Sequence, residues 1–335
     1  MRLLKGAFVV GILFGLGLGS CMGPAQGGSA QPAELLERGD RAFNGGRFAE
    51  SAELYKLAAA SASTHGDSTA FLEAAAQVSS SLSLLGRPEE GESWLAQVRA
   101  RDDEKLPRAH ARVMLAEALN LRDTGQTASA LHQFDGLFAF CMDGQLFGEA
   151  MQAATLASVV AEGDARLAWA ERNLDAARAS EEPAWVVAAW RGLGFAQEAV
   201  GKYEEAVYSM RQAREGTAAG GRPGLRADWA LAHMLRLSGK LAEADRILTA
   251  AVPQARRFHA QGFSPRDAEW LGRCFEEYAE VQAATGQKRN ALVAMGSARK
   301  AYMLAEIDSL APEKLRALDA RLAQWKYDLD GVQKP

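Results

Sequence analysis

Seven glycines punctuate the chain: Gly46, Gly86, Gly125, Gly163, Gly201, Gly239 and Gly286. Their spacings are 40, 39, 38, 38, 38 and 47 residues. A fixed period of this size marks a repeat architecture, in which each unit is one supersecondary element. The stretches between the glycines are helical in character. Alanine is abundant, β-branched residues are few, and no window sustains a two-residue alternation. A glycine between two such stretches lets the chain leave one helix through left-handed backbone space and enter the next. The period therefore reads as a series of helical hairpins, each burying its apolar face on its neighbours.

The clearest unit is WRGLGFAQEAVGKYEEAVYSMRQA, residues 190–213. Gly194 and Ala206 are small where two antiparallel helices touch, Gly201 makes the turn, and Trp190, Leu193, Tyr203 and Met210 are expected to fill the seam. Trp190, Leu193, Gly194, Gly201, Tyr203, Ala206, Met210 and Ala213 together resemble the tetratricopeptide repeat (TPR) closely. Weaker copies recur around the other glycines, the weakest at Gly163, where Arg172 stands in place of the usual aromatic. The usual TPR period is about 34 residues, so these units carry longer helices or loops. The resemblance implies an all-α fold, a right-handed α-solenoid of about seven TPR-like hairpins. The amphipathic segment APEKLRALDARLAQWKYDLD would close its last apolar face. The expected divisions are repeats over 33–308 and a capping helix over 309–330. Ser264, Pro265 and Asp267 look like an N-cap, a first-turn proline and a dipole-complementing acid. Pro253 is expected to kink or end a helix.

The amino terminus answers a different question. Arg2 and Lys5 precede an apolar run from Ala7 to Gly19. That run falls short of the roughly 20 residues a spanning helix needs and matches a secretory signal segment. It ends in LGSC, residues 18–21, which resembles the lipobox of bacterial lipoproteins. The resemblance implies that residues 1–20 are a signal peptide removed before Cys21. The Cys21 thiol would then carry a covalent lipid, anchoring the chain to the membrane without a transmembrane helix. Met22 is not the aspartate that usually retains such proteins in the inner membrane, which favours an outer-membrane, periplasm-facing location. Residues 21–32 are glycine- and proline-rich and read as a tether. Without residues 1–20 the formal charge is −6, so no nucleic-acid partner is expected. Cys141 and Cys274 are expected to be buried free thiols.

No catalytic constellation emerges. None of the five histidines pairs in a metal-binding spacing, so no metal and no cofactor beyond the lipid on Cys21 is expected. His132, Asp135, Cys141 and Asp143 lie close in sequence, as do Ser61, His65 and Asp67, but adjacency does not make a triad. The chain reads as a non-enzyme with a binding surface. The TPR resemblance places that surface on first-helix positions: Arg191, Phe195 and Glu198 in the fifth hairpin, and Arg226, Trp229, His233 and Arg236 in the sixth. Arg112 and Arg122 come from the third hairpin and Arg273 from the seventh. Arginine grips carboxylates in two-pronged fashion, and Trp and Arg recur at binding hot spots. The expected function is an envelope scaffold or assembly factor whose groove binds a segment of another envelope protein. The alternative is a periplasmic small-ligand module serving a transporter.

Overall fold

The structure, a computed structural model, describes residues 31–307 and 311–331 of the 335. The lipobox, Cys21, the signal segment 1–20 and nearly all of the tether 21–32 lie outside the described residues. Helices α1 (Pro32–Asn44) and α2 (Phe48–His65) form the first hairpin, and α3 (Ser68–Leu84) and α4 (Pro88–Arg99) the second. The third pairs α5 (Pro107–Asp123) with α6 (Thr127–Asp143), and the fourth α7 (Phe147–Val160) with α8 (Gly163–Ala179). Then follow α9 (Pro183–Ala199) with α10 (Tyr203–Glu215), α11 (Arg222–Leu237) with α12 (Leu241–Gly262), and α13 (Pro265–Ala284) with α14 (Lys288–Leu304). Helix α15 (Pro312–Gly331) comes last. No strand occurs among the described residues. The fold is all-α, of the α-solenoid class built from helical hairpins.

All seven spacing glycines have φ between 56° and 81°. After six of them, the next backbone N–H reaches the carbonyl five residues back, as from Arg47 to Ala42 and from Lys202 to Gln197, both 2.9 Å. This double closure satisfies carbonyls left over at a helix end. Gly163 departs from the pattern: it opens α8 directly after a two-residue link. Arg172, the odd residue of that hairpin, lays its guanidinium 4.3 Å from the Phe138 ring centroid and 4.1 Å from that of Trp169. A flat cation thus does the packing an aromatic would do.

One expectation needs correction and one is narrowed. Helix α12 runs through Pro253 without ending there. The proline ring and Thr249, whose carbonyl loses its N–H partner, both lie on the solvent side, where water satisfies the freed group. Tyr203 does not fill a seam; it is 37 % exposed because it is the first residue of α10. Ser264 behaves as read: its hydroxyl accepts from the Asp267 N–H, 3.1 Å, at the start of α13.

The chain divides into two compact units, Met1–Ala196 and Gln197–Pro335. In the first, the leading helices of the hairpins converge. Arg108 on α5 reaches Asp40 on α1 (3.0 Å) and Glu149 on α7 (2.8 Å). Gln152 on α7 donates to the Asn44 side-chain oxygen on α1, 2.8 Å, and Val159 packs on the Leu35–Phe43 cluster. Arg112 is 1 % exposed, bonded to Asp40 at 2.7 Å and 3.5 Å from Glu73. The inner face of these four hairpins is filled by their own side chains, so Arg112 lines no groove. Arg122 is likewise occupied, by Ser83 and Asp123.

In the second unit, Leu271, Cys274, Phe275, Met295 and Tyr302 form the core, and Leu315 and Leu318 of α15 complete it. Gly272 lies against Tyr302, where a Cβ would come within 2.8 Å of the ring. Cys141 and Cys274 are both free and buried.

Candidate partner-binding face on α11 and α13

Helices α11 and α13 lead consecutive hairpins and run side by side in one direction, in a register of 44 residues. Trp229 donates its indole N–H to the carbonyl of Arg273, 3.1 Å. His233 Nδ1 lies 2.9 Å from Glu277 Oε2. Arg226 stands 5.2 Å from the Trp270 centroid. Each contact joins residues 44 apart. The segments Arg226-Ala-Asp-Trp229 and Trp270-Leu-Gly-Arg273 carry arginine and tryptophan in opposite order. The shared register therefore sets an arginine opposite a tryptophan twice.

The result is a continuous aromatic–cation deck. Arg273 lies 5.1 Å from Trp270 and 5.7 Å from Trp229. The two indoles meet edge to face at 5.6 Å, and His233 lies parallel to Trp229 at 5.5 Å. Such contacts favour the flat, weakly hydrated guanidinium over an ammonium.

One step deeper, the charges are matched. His233 Nε2 is 3.0 Å from Glu198 Oε1, so both ring nitrogens face carboxylates. Burial alone would depress the imidazole pKa, but the hydrogen bonds it donates to Glu198 and Glu277, with their charges, lift it to about 9. Glu277 is 5 % exposed and also bonds Arg236. Burial would raise its pKa, yet His233 and Arg236 hold it below the usual carboxylate range.

The structure thus brings Arg226, Trp229, His233 and Arg236 onto one face of α11. Arg236 and His233 are neutralised there by Glu277 and Glu198, so this part of the face is not the basic groove expected. Arg191 and Phe195 lie half-buried on α9 in the first unit. Sequence reasoning missed Trp270 and Glu277. Trp270 was legible as the reversed Arg–Trp spacing on the next leading helix. Glu277 carried no local signal, because its partners are 44 and 41 residues away.

The other noted clusters have structural roles. Asp135 holds Arg172 (2.6 Å), His65 bonds the Ser61 carbonyl (2.8 Å), and Asp67 caps α3. Among the described residues no group of His, Cys, Asp and Glu is placed to hold a metal ion. No helix among them is long and apolar enough to cross a membrane.

The family model described as "Tetratrico peptide repeat" matches residues 32–153 and 187–261. This chain belongs to that family. The gap between the two matches covers most of the fourth hairpin, with its shortened turn and Arg172. Among solved structures, the chain is similar to a signal-transduction ATPase with numerous domains and a tetratricopeptide repeat sensor, from Pyrococcus horikoshii. The identity is 13 % and the TM-score 0.58, with 86 % of this chain and 44 % of that one covered. The chain thus spans less than half of that protein. It is also similar to nearly identical TPR-like repeats assigned to a kinesin light chain of Podosopora anserina, at 15 % identity and a TM-score of 0.45. That match covers 60 % of this chain and 96 % of that one. The TPR domain of P58(IPK) matches at 13 % identity and a TM-score of 0.35, over 91 % of this chain and 100 % of that one. No curated protein matches the chain.

Proposed function

We propose that this TPR protein is a lipoprotein anchored through Cys21 to the outer membrane and facing the periplasm. It acts as a scaffold or assembly factor, not an enzyme, and holds a segment of another envelope protein. The observation that carries the binding role is the tryptophan–arginine deck of α11 and α13. Tryptophan and arginine are the residues on which binding energy concentrates, and here they are gathered on leading helices beside exposed Arg222 and Arg266. On α1, α5 and α7 the corresponding face is filled by its own ion pairs, which favours the second unit as the site.

The test is site-specific photocrosslinking in intact cells. A photoreactive residue at position 266, beside the deck, is compared with one at Val293, which is 73 % exposed on α14. Position 266 should yield one discrete adduct with an envelope protein, and position 293 should not. Equal adducts at both positions, or none at either, would remove the scaffold role from this face. Alanine replacement of Trp229 with Arg236 is a poor probe, since both side chains hold α11 to α13.

A further inference from the structure

We propose that the face of the second unit made by α12 and α14 lies on an anionic lipid surface. The charge pattern of the trailing helices changes abruptly here. Each of the five earlier ones, α2, α4, α6, α8 and α10, carries at least two carboxylates. Residues 246–266 instead hold four arginines, residues 281–305 hold four basic side chains, and neither stretch contains an Asp or a Glu. The whole chain has 42 acidic against 38 basic side chains, so attraction to an anionic partner has to come from a local face such as this one. On α12 the exposed positions follow helical spacing, and Arg246, Arg256 and Arg257 share one stripe with Ala250, Pro253 and Ala260 between them. On α14, Lys288, Arg289 and Lys300 are exposed, while Arg299 is held by Asp319 of α15.

Apolar side chains stand among these cations. Val293, Met303 and Leu304 are exposed on α14, and Phe263, which caps the end of α12, is 78 % exposed. Phe263 also has φ 44°, in the left-handed region, so this outward aromatic is unfavourable both in backbone and in hydration until something covers it. Its ring makes an edge contact with His259 at 5.9 Å. Helices α12 and α14 pack on α13 through one core, with Val252, Ala255, Phe275, Ala294 and Met295. As trailing helices of consecutive hairpins they run the same way, so Phe263, Met303 and Leu304 fall at one end of the unit. A protein partner draws its binding energy from a well-packed centre. Apolar residues scattered singly between cations suit a bilayer instead, which takes them into the headgroup boundary and sets the cations on its phosphates. Helices α11 and α13 form the other layer of the unit, so this contact turns the tryptophan–arginine deck away from the lipid. The inference rests on charge and exposure alone and is independent of the anchor at Cys21.

The experiment is vesicle co-sedimentation of the full chain carrying Cys21→Ala, so that no covalent lipid contributes. One set of vesicles is phosphatidylcholine alone and the other contains phosphatidylglycerol as about a third of its lipid. The phosphatidylglycerol vesicles should bind about tenfold or more tightly, and the binding should weaken as salt is added. Arg257→Gln, Arg289→Gln and Lys300→Gln together should cost about a hundredfold of that affinity. The same change of net charge in the first unit, Arg41→Gln with Arg47→Gln and Arg87→Gln, should leave it within about threefold. Val293→Ser with Leu304→Ser should cost about tenfold and leave the salt dependence as it was. All of these positions are exposed, and circular dichroism checks that each variant is folded. Equal affinity for the two kinds of vesicle overturns the inference, as do equal losses in the two triple variants. An unchanged affinity in the serine pair overturns it too. Binding of soluble polyglutamate in place of vesicles, lost in the α12–α14 triple variant, would assign the face to an acidic protein instead.

Discussion

At the scale of single residues, the molecule spends its charges inside more than its sequence suggests. Arg112 is the largest fully buried side chain and faces Asp40 and Glu73. Removing one partner of such a group leaves the others uncompensated in a poorly solvated place, at a cost of about 3–5 kcal/mol. Arg112→Ala should destabilise the first unit by that much in urea unfolding, and a loss under 1 kcal/mol would show that the network is dispensable. His233 gives a pH signature. Its folded pKa of about 9 lies above its ordinary value of 6.5. Its bridge from Glu198 to Glu277 is therefore fully present below about 6.5 and is lost as pH rises through 9. Between those limits the wild type should lose on the order of 2 kcal/mol relative to His233→Gln. A pH-independent difference between the two proteins would mean that the imidazole is not held as a cation. Arg226, Trp229 and His233 were legible through the repeat resemblance, which assigns first-helix positions to the binding surface. What neutralises His233 was not, because pairings across a 44-residue register depend on how two helices slide against each other, and no local pattern encodes that.

At the scale of elements, the turns were the legible part. A glycine at positive φ is a local demand of the backbone, readable wherever it falls, and six of the seven hairpins close the same way. Helix interiors were harder. Pro253 left a kink or an end open, because a solvent-side proline can be absorbed by a long helix and nothing in the flanking residues says which side faces water. Close helix contacts were only partly legible. Gly194 stood out as a repeat residue, whereas Gly272 did not, although it lets the Tyr302 ring lie flat on α13 with its hydroxyl donating to Glu276 at 2.7 Å. Gly272→Ala should displace that ring, change the near-ultraviolet dichroism and cost about 1–3 kcal/mol through overpacking. If thermal stability rises instead, helix propensity has outweighed the contact.

At the scale of the whole molecule, the repeat period was enough to read the fold class, because seven hairpins in near-register leave few other ways to bury their apolar faces. It did not reveal that the inner face of the first four hairpins is closed by side chains up to 108 residues apart. The proposed anchor is tested by Cys21→Ala. The variant should lose incorporated labelled palmitate and move from the membrane to the soluble fraction; continued membrane association with no label would refute lipid anchoring. The two internal cysteines have a further use. Cys141 belongs to the first unit and Cys274 to the second. Burial pushes both thiols up to about 12, so neither forms much of the reactive thiolate while its unit is closed. Alkylation of each can then proceed only as fast as its own surroundings open. With position 21 blocked, the chain carries one built-in chemical clock per unit, and the two rates separate their breathing motions without any added label.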